Sequence, residues 1–253
     1  MRYFDAFFPL GRSNASIPEC PRTQTQALSV MRRWDVERAL VFHTVSRDSD
    51  PEQGNRALEQ LNDPALLPIW AFDPALVIPE TPEHFLERAL RAGAAAVLIN
   101  PLMRRLDLCR SPRIRALAQL LEDRKMPLLV AHWRTNPEED LVEWYALIDF
   151  CKLYPLLPVL VWEWRTRSNR PMFDALGETH NLKIAISSLW QAQSIAQICN
   201  VFGPDRLVFS LGLPHLDPGS FQSCLRYADI SEEAKRQIAA ATLQELIEGA
   251  GRG

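Results

Sequence analysis

The side chains able to do chemistry gather where apolar runs end. His43 closes the run Arg38-Ala-Leu-Val-Phe-His43, with Ser46 and Arg47 just beyond it. His132 follows Pro127-Leu-Leu-Val-Ala131, and Arg134 follows His132. Glu163 stands between Trp162 and Trp164, and Arg165-Thr-Arg-Ser-Asn-Arg170 then sets Arg165, Arg167 and Arg170 close together. Ser187 and Ser188 come after Leu182–Ile186, and His215 and Asp217 after Leu207–Leu211. Guanidinium forks match carboxylate and phosphate oxygens. Arg47, Arg134, Arg165, Arg167 and Arg170, with Ser187 and His215, are therefore candidates to bind a small anionic molecule. The competing reading is ordinary surface pairing of these arginines with Glu and Asp.

Three residues are candidates for proton transfer. His43 and His132 could form a general acid/base pair if both point into one cavity. Each also reads as a buried histidine with one satisfied hydrogen bond. A carboxyl desolvated by two indoles, as at Glu163, would titrate high and could carry a proton. It could equally brace Arg134 or Arg165 in a salt bridge. Ser187 has no G-x-S-x-G elbow around it, so its hydroxyl is expected to line a pocket rather than attack.

These residues need a scaffold that brings strand ends together. Short apolar runs recur at 2–8, 38–43, 66–72, 95–99, 127–131, 158–162, 182–186 and 207–211. Helical patterns separate them, several opened by a capping residue and proline, as in Asp50-Pro51, Thr81-Pro82 and Ser111-Pro112. Near-continuous apolar strands are buried on both faces, as parallel sheets require. Eight βα units in 253 residues predict an α/β chain folded as a single (β/α)8 TIM barrel over 1–253, with its working face in the loops after the strands. A doubly wound sheet is the runner-up, but neither a G-x-G-x-x-G nor a Walker A sequence supports it.

Composition narrows the classes. With 47% hydrophobic and 23% charged residues the chain is ordinary globular material. A net charge of -3 gives no basic excess for nucleic acid or an anionic membrane. No apolar run is long enough for a membrane span, and no signal-peptide pattern opens the chain. The five cysteines are odd in number, scattered and without a CxxC pair, so Cys151, Cys199 and Cys224 are expected as reduced packing residues in a cytoplasmic protein.

Several segments, in order, resemble the amidohydrolase-related (amidohydrolase 2-type) branch of the amidohydrolase superfamily. Asp50-Pro-Glu-Gln-Gly-Asn55 looks like its "D-P-x-x-G-N" helix start, and Gly93–Pro101 like its "G-x-x-G-V-K-L-x-P" strand. Asp205-Arg-Leu-Val-Phe209 and Tyr227-Ala-Asp-Ile-Ser231 look like its "DRLLFG" and "AD-[LI]-S-x-E" segments. The resemblance implies a TIM barrel and a metal-dependent hydrolase or decarboxylase. The ligands it implies do not carry over. Its first strand bears D-x-H-x-H, whereas this chain has Asp5-Ala-Phe7-Phe-Pro9, and Gly212 stands where its strand-eight aspartate would be. His132 matches its strand-five histidine, and one imidazole cannot hold a catalytic metal.

The expectation is thus a pseudoenzyme of amidohydrolase type, with no metal and no cofactor, that binds a small anionic molecule at the barrel mouth. The alternative is a hydrolase or decarboxylase of a small carboxylate, either metal-independent or with relocated ligands drawn from His43, His132, Glu163, His215 and Asp217. Neither nucleic acid nor membrane is expected as a partner. The resemblance leaves a homodimer open.

Overall fold

The computed structural model describes residues 1–12, 20–74, 80–132, 143–162, 170–189, 191 and 193–250. Its strands are β1 (Tyr3–Leu10), β2 (Val36–His43), β3 (Leu66–Ala71), β4 (Ala96–Ile99), β5 (Leu128–Ala131), β6 (Val159–Trp162), β7 (Leu182–Ala185) and β8 (Leu207–Val208). All pair in parallel and in chain order. The described helices are α1 (Gln24–Arg33), α2 (Thr44–Asp48), α3 (Pro51–Leu58), α4 (Pro82–Arg91), α5 (Pro101–Arg104), α6 (Pro112–Asp123), α7 (Trp144–Leu153), α8 (Arg170–Glu178), α9 (Ser194–Phe202), α10 (Pro218–Arg226), α11 (Glu232–Arg236) and α12 (Thr242–Gly249). A π-helical turn, Gln237–Ala241, joins the last two. This is the (β/α)8 barrel that the sequence predicts.

The helix starts follow from local chemistry. Asp50, Thr81, Asn100, Ser111 and Asp217 each accept a first-turn N–H on a side-chain oxygen, and each is followed by proline. A cap of this kind contributes about 1 kcal/mol, and proline at the first helical position loses no hydrogen bond. The loop expected after β2 is instead the short helix α2. His43 Nδ1 accepts from Val45 N, and Ser46 Oγ donates to the His43 carbonyl at 2.6 Å, so two side chains wind that turn.

Alternation along the strands divides the core in two. Leu40, Phe42, Leu129, Ala131, Leu160 and Trp162 fill the barrel interior. Val41, Leu128, Val130 and Val161 face the helices. Strand β1 breaks this alternation. Asp5 lies opposite Ala39, but Phe8 lies opposite Val41, so β1 carries one extra residue. This bulge turns both Ala6 and Phe7 toward the interior. Leu243 of α12 joins the interior cluster, with Leu246 and Ile247 packed against it, so the last helix closes the N-terminal end of the barrel.

Strand β8 is shorter than its apolar run suggests. Past Val208 the chain reaches β1 through Ala6 N donating to the Phe209 carbonyl at 2.9 Å. Cys151 is buried and Cys199 half-buried, but Cys224 is exposed, contrary to its expected packing role. Among the described residues, no helix is long and apolar enough to cross a membrane.

Candidate functional site

At the C-terminal end the barrel is filled by rings. Phe7 stacks on Trp162 with centroids 5.2 Å apart and planes 21° from parallel. Phe42 tilts against the same indole at 5.5 Å. Arg47, carried over them by α2, places its guanidinium 5.4 Å from the Phe42 ring and 5.9 Å from Trp162. Its side chain is only 1% exposed. A cation so buried needs a counter-charge. Asp48 supplies one, accepting from Nε at 2.5 Å and from the second guanidinium arm at 3.0 Å. The remaining arm lies 3.2 Å from His215 Nε2. Guanidinium only donates, so Nε2 accepts and the neutral ring carries its proton on Nδ1. Arg47 thereby joins the loop after β2 to the loop after β8.

Beside this cap lie three buried polar atoms without hydrogen-bond partners among the described residues: His132 Nδ1, Trp162 Nε1 and Ser187 Oγ. They sit at the ends of β5, β6 and β7. His132 N donates to the Trp162 carbonyl at 3.1 Å, which extends the β5–β6 ladder by one residue. Ser187 belongs to a 3₁₀ turn, Ile186–Ser188, that follows β7 directly. Burial pushes the His132 imidazole down to about 4, with the Val130 backbone pulling the other way, so the ring is neutral at pH 7. A pocket of about 480 Å³ opens beside His132, walled by Leu102, Leu106 and Ala146 and carrying Arg105 and Glu143. Arg105 adopts φ +52° and ψ +47°, a left-handed conformation rare in a residue with a Cβ.

The sequence candidates separate. Arg47 and His215 come together, and both lie at the mouth. His43 and His132 do not form a pair: no hydrogen bond joins them among the described residues, and they stand on β2 and after β5. His43 instead caps α2 and packs against Gly11, where an added Cβ would fall 2.8 Å from its Cε1. Burial lowers its pKa. Arg170 is exposed as the first residue of α8. Glu163, Arg134, Arg165 and Arg167 lie outside the described residues. Ser188 is buried beside Ser187.

Asp5 has a role that its position in the sequence does not announce. Asp5 is fully buried, and its carboxylate accepts from Phe7 N at 2.9 Å and from Leu211 N at 3.2 Å. It therefore satisfies the amide that the bulge displaces and bridges to the chain past β8. Burial raises its pKa to about 6 despite these bonds and one from Ser210. The available signal was a lone acid inside an eight-residue apolar strand, since such a group must be hydrogen-bonded.

Among the described residues, the donor types at the strand ends do not suit a divalent cation. The end of β1 offers Phe7, the end of β6 Trp162, and the turn after β8 Gly212. Asp217 caps α10, and His215 faces a guanidinium. Among the described residues, no three His, Cys, Asp or Glu side chains are grouped to hold a metal.

No protein-family model matches the chain, and no curated protein does. Solved structures do. An uncharacterized TIM-barrel protein from Bordetella bronchiseptica superposes with a TM-score of 0.77 at 14% identity, covering 100% of both chains. A dihydroxybenzoic acid decarboxylase from Polaromonas sp. JS666, solved with manganese and the inhibitor 2-nitroresorcinol, gives 0.73 at 14% identity over 98% of this chain and 97% of that one. An amidohydrolase II structure gives 0.70 at 14% identity over 97% and 99%. The chain thus has the fold of the amidohydrolase-type decarboxylases and hydrolases, a likeness of fold at this identity.

Proposed function

We propose that this barrel binds a small carboxylate at its C-terminal mouth without a resident metal. The observation that carries this is the set of three buried polar atoms on adjacent strand ends that have no hydrogen-bond partner among the described residues: His132 Nδ1, Trp162 Nε1 and Ser187 Oγ. An unsatisfied buried polar group costs about 1–3 kcal/mol. Three together are a cost that a bound acceptor would offset. A carboxylate has the needed lone pairs, and indole N–H and hydroxyl both donate. The neutral His132 can donate from Nδ1 in one tautomer. Aliphatic walls at Leu102 and Leu106, beside His132, suit an organic body on the ligand.

The filled core at Phe7, Phe42 and Trp162 supports the metal-free part of this reading. A second reading, decarboxylation or hydrolysis of the same ligand, draws support from His132 and Glu143 lining one pocket and from the neighbouring decarboxylase. In that case Glu143 would move the proton.

Thermal shift with 2,6-dihydroxybenzoate and benzoate tests binding, with Ser187→Ala and His132→Ala as variants. Shifts in the parent that shrink in both variants support the reading. Shifts unchanged in both would overturn it. Carbon dioxide release from 2,6-dihydroxybenzoate, or hydrolysis of a lactone that bears a carboxylate, by the parent would establish the second reading, and elemental analysis after incubation with manganese tests the metal-free part.

A further inference from the structure

A second cavity, of about 430 Å³, opens at the opposite, N-terminal end of the barrel. Its volume lies within the range typical of small-molecule sites. Phe4 and Ala240 form apolar wall, and three arginines, Arg2, Arg38 and Arg236, line it against one carboxylate, Glu37. Arg2 pairs with Glu37, and Arg236 with Glu233. Arg38 differs from them. It is half-buried, its guanidinium lies 4.9 Å from the Phe4 ring centroid, and its polar partner is the neutral side-chain amide of Gln244. The cation is therefore held over an aromatic floor, and among the described residues no carboxylate pairs with it.

The chain keeps this cavity open in a specific way. The π turn Gln237–Ala241 crosses the barrel end, and the two wall residues it contributes, Ala240 and Ala241, have minimal side chains. Wide turns of this kind concentrate at functional sites. In TIM barrels the N-terminal face ordinarily serves stability, so a cationic pocket there has no part in chemistry at the mouth.

We infer that this end of the barrel is a second binding site, for an organic anion with an apolar body, of which a medium-chain carboxylate is the simplest member. The head would take Arg38, and the tail would lie along Phe4 and the alanine wall. Nothing in this inference depends on the carboxylate reading of the mouth.

Isothermal titration calorimetry with sodium octanoate tests it, with octanamide as the neutral counterpart. The parent should bind one equivalent of octanoate at this end, beyond any taken up at the mouth, and take octanamide there at least about tenfold more weakly, a difference of about 1.4 kcal/mol. Arg38→Gln should weaken octanoate by a similar factor, and Ala241→Phe should block it by filling the cavity. His132→Ala, at the mouth, should keep the equivalent bound at this end. Equal affinity for octanoate and octanamide would overturn the inference. So would absence of octanoate binding, or binding lost in His132→Ala but kept in Arg38→Gln.

Discussion

Phe7 lies face to face with Trp162 across the barrel axis, 5.2 Å between centroids. Position 7 is where the amidohydrolase-like strand pattern would place a metal-binding imidazole. Restoring that pattern should fail. Phe7→Ala is expected to cost about 3–5 kcal/mol, as large-to-small changes in filled cores do. Phe7→His leaves a polar ring against an indole and should also destabilise. Gly212 is barred for a second reason. Its φ is +80°, and an added Cβ would fall 2.9 Å from Leu216 Cβ and 3.1 Å from Phe221 Cε2. Gly212→Asp should lower the urea midpoint by more than Gly212→Ala. Stoichiometric manganese in Phe7→His/Gly212→Asp, with native stability, would contradict this account.

Arg47 is expected to be the most sensitive charged residue at the mouth. Removing it leaves Asp48 without its partner and uncovers Phe42 and Trp162. Arg47→Ala should cost about 2 kcal/mol, less than the 3–5 kcal/mol of fully buried pairs because Asp48 is partly in water. Arg47→Lys should recover little of this, since an ammonium cannot bond both carboxylate oxygens in the fork arrangement. Full recovery by lysine in urea unfolding would show that charge alone matters there.

Two buried groups push the pH dependence of stability in opposite directions. Asp5 titrates at about 6 in the fold against 3.8 outside it, so between those values the folded chain holds a proton that the unfolded chain has released. Its contribution is greatest at the acid end and fades as pH rises through 6. His132 moves from 6.5 to about 4, so the unfolded chain gains a proton that the folded chain refuses. Its contribution is full above 6.5 and is lost as pH falls toward 4. The two offset each other between pH 4 and 6. Relative to the parent, Asp5→Asn should gain stability as pH rises from 4 to 7, and His132→Gln should gain as pH falls from 6.5 to 4. Each change should be on the order of 2–3 kcal/mol. Profiles parallel to the parent in both variants would refute the assignment.

Asn55 is expected to behave as part of the sheet. Its amide donates to the Ala71 carbonyl at 2.9 Å and accepts from Ala71 N at 2.8 Å, completing the end of β3. Asn55→Ala should cost about 2–4 kcal/mol, because two buried backbone groups lose their partners. Asn55→Asp should be no better, since it cannot donate. Thermal unfolding distinguishes this from a surface role, for which both changes would be small.

These contacts explain which parts of the molecule could be read in advance. In Asp50-Pro-x-x-Gly54-Asn55, the aspartate caps α3, the asparagine bonds to Ala71, and a Cβ at Gly54 would collide with Ser46. Arg206 donates to the carbonyls of Leu176, Thr179 and Leu182. The segments that carry the family resemblance hold the barrel together, so they forecast its fold and not its chemistry. The apolar runs likewise placed Phe42 and Trp162 on buried strands. What stayed illegible depends on local exceptions. The β1 bulge reverses the direction of Phe7, and His43 leaves the expected histidine pair to cap a short helix. The atoms at His132 and Ser187 that lack partners among the described residues follow from backbone positions on two separate strands, which no spacing along the chain records.

The seam between the first and last strands gives this barrel a built-in point of opening. β8 is two residues long. Past it, Ala6 N reaches the Phe209 carbonyl, and Leu211 N leans on a side chain, Asp5, rather than on a neighbouring peptide group. Elsewhere around the ring, separation of two strands requires breaking a run of ladder bonds. Here a single carboxylate rotation would free the Leu211 amide, so solvent deuterium should enter at Leu211 well before it reaches the amides of Leu129 or Leu160. The hoop has a clasp, and Asp5 is its pin.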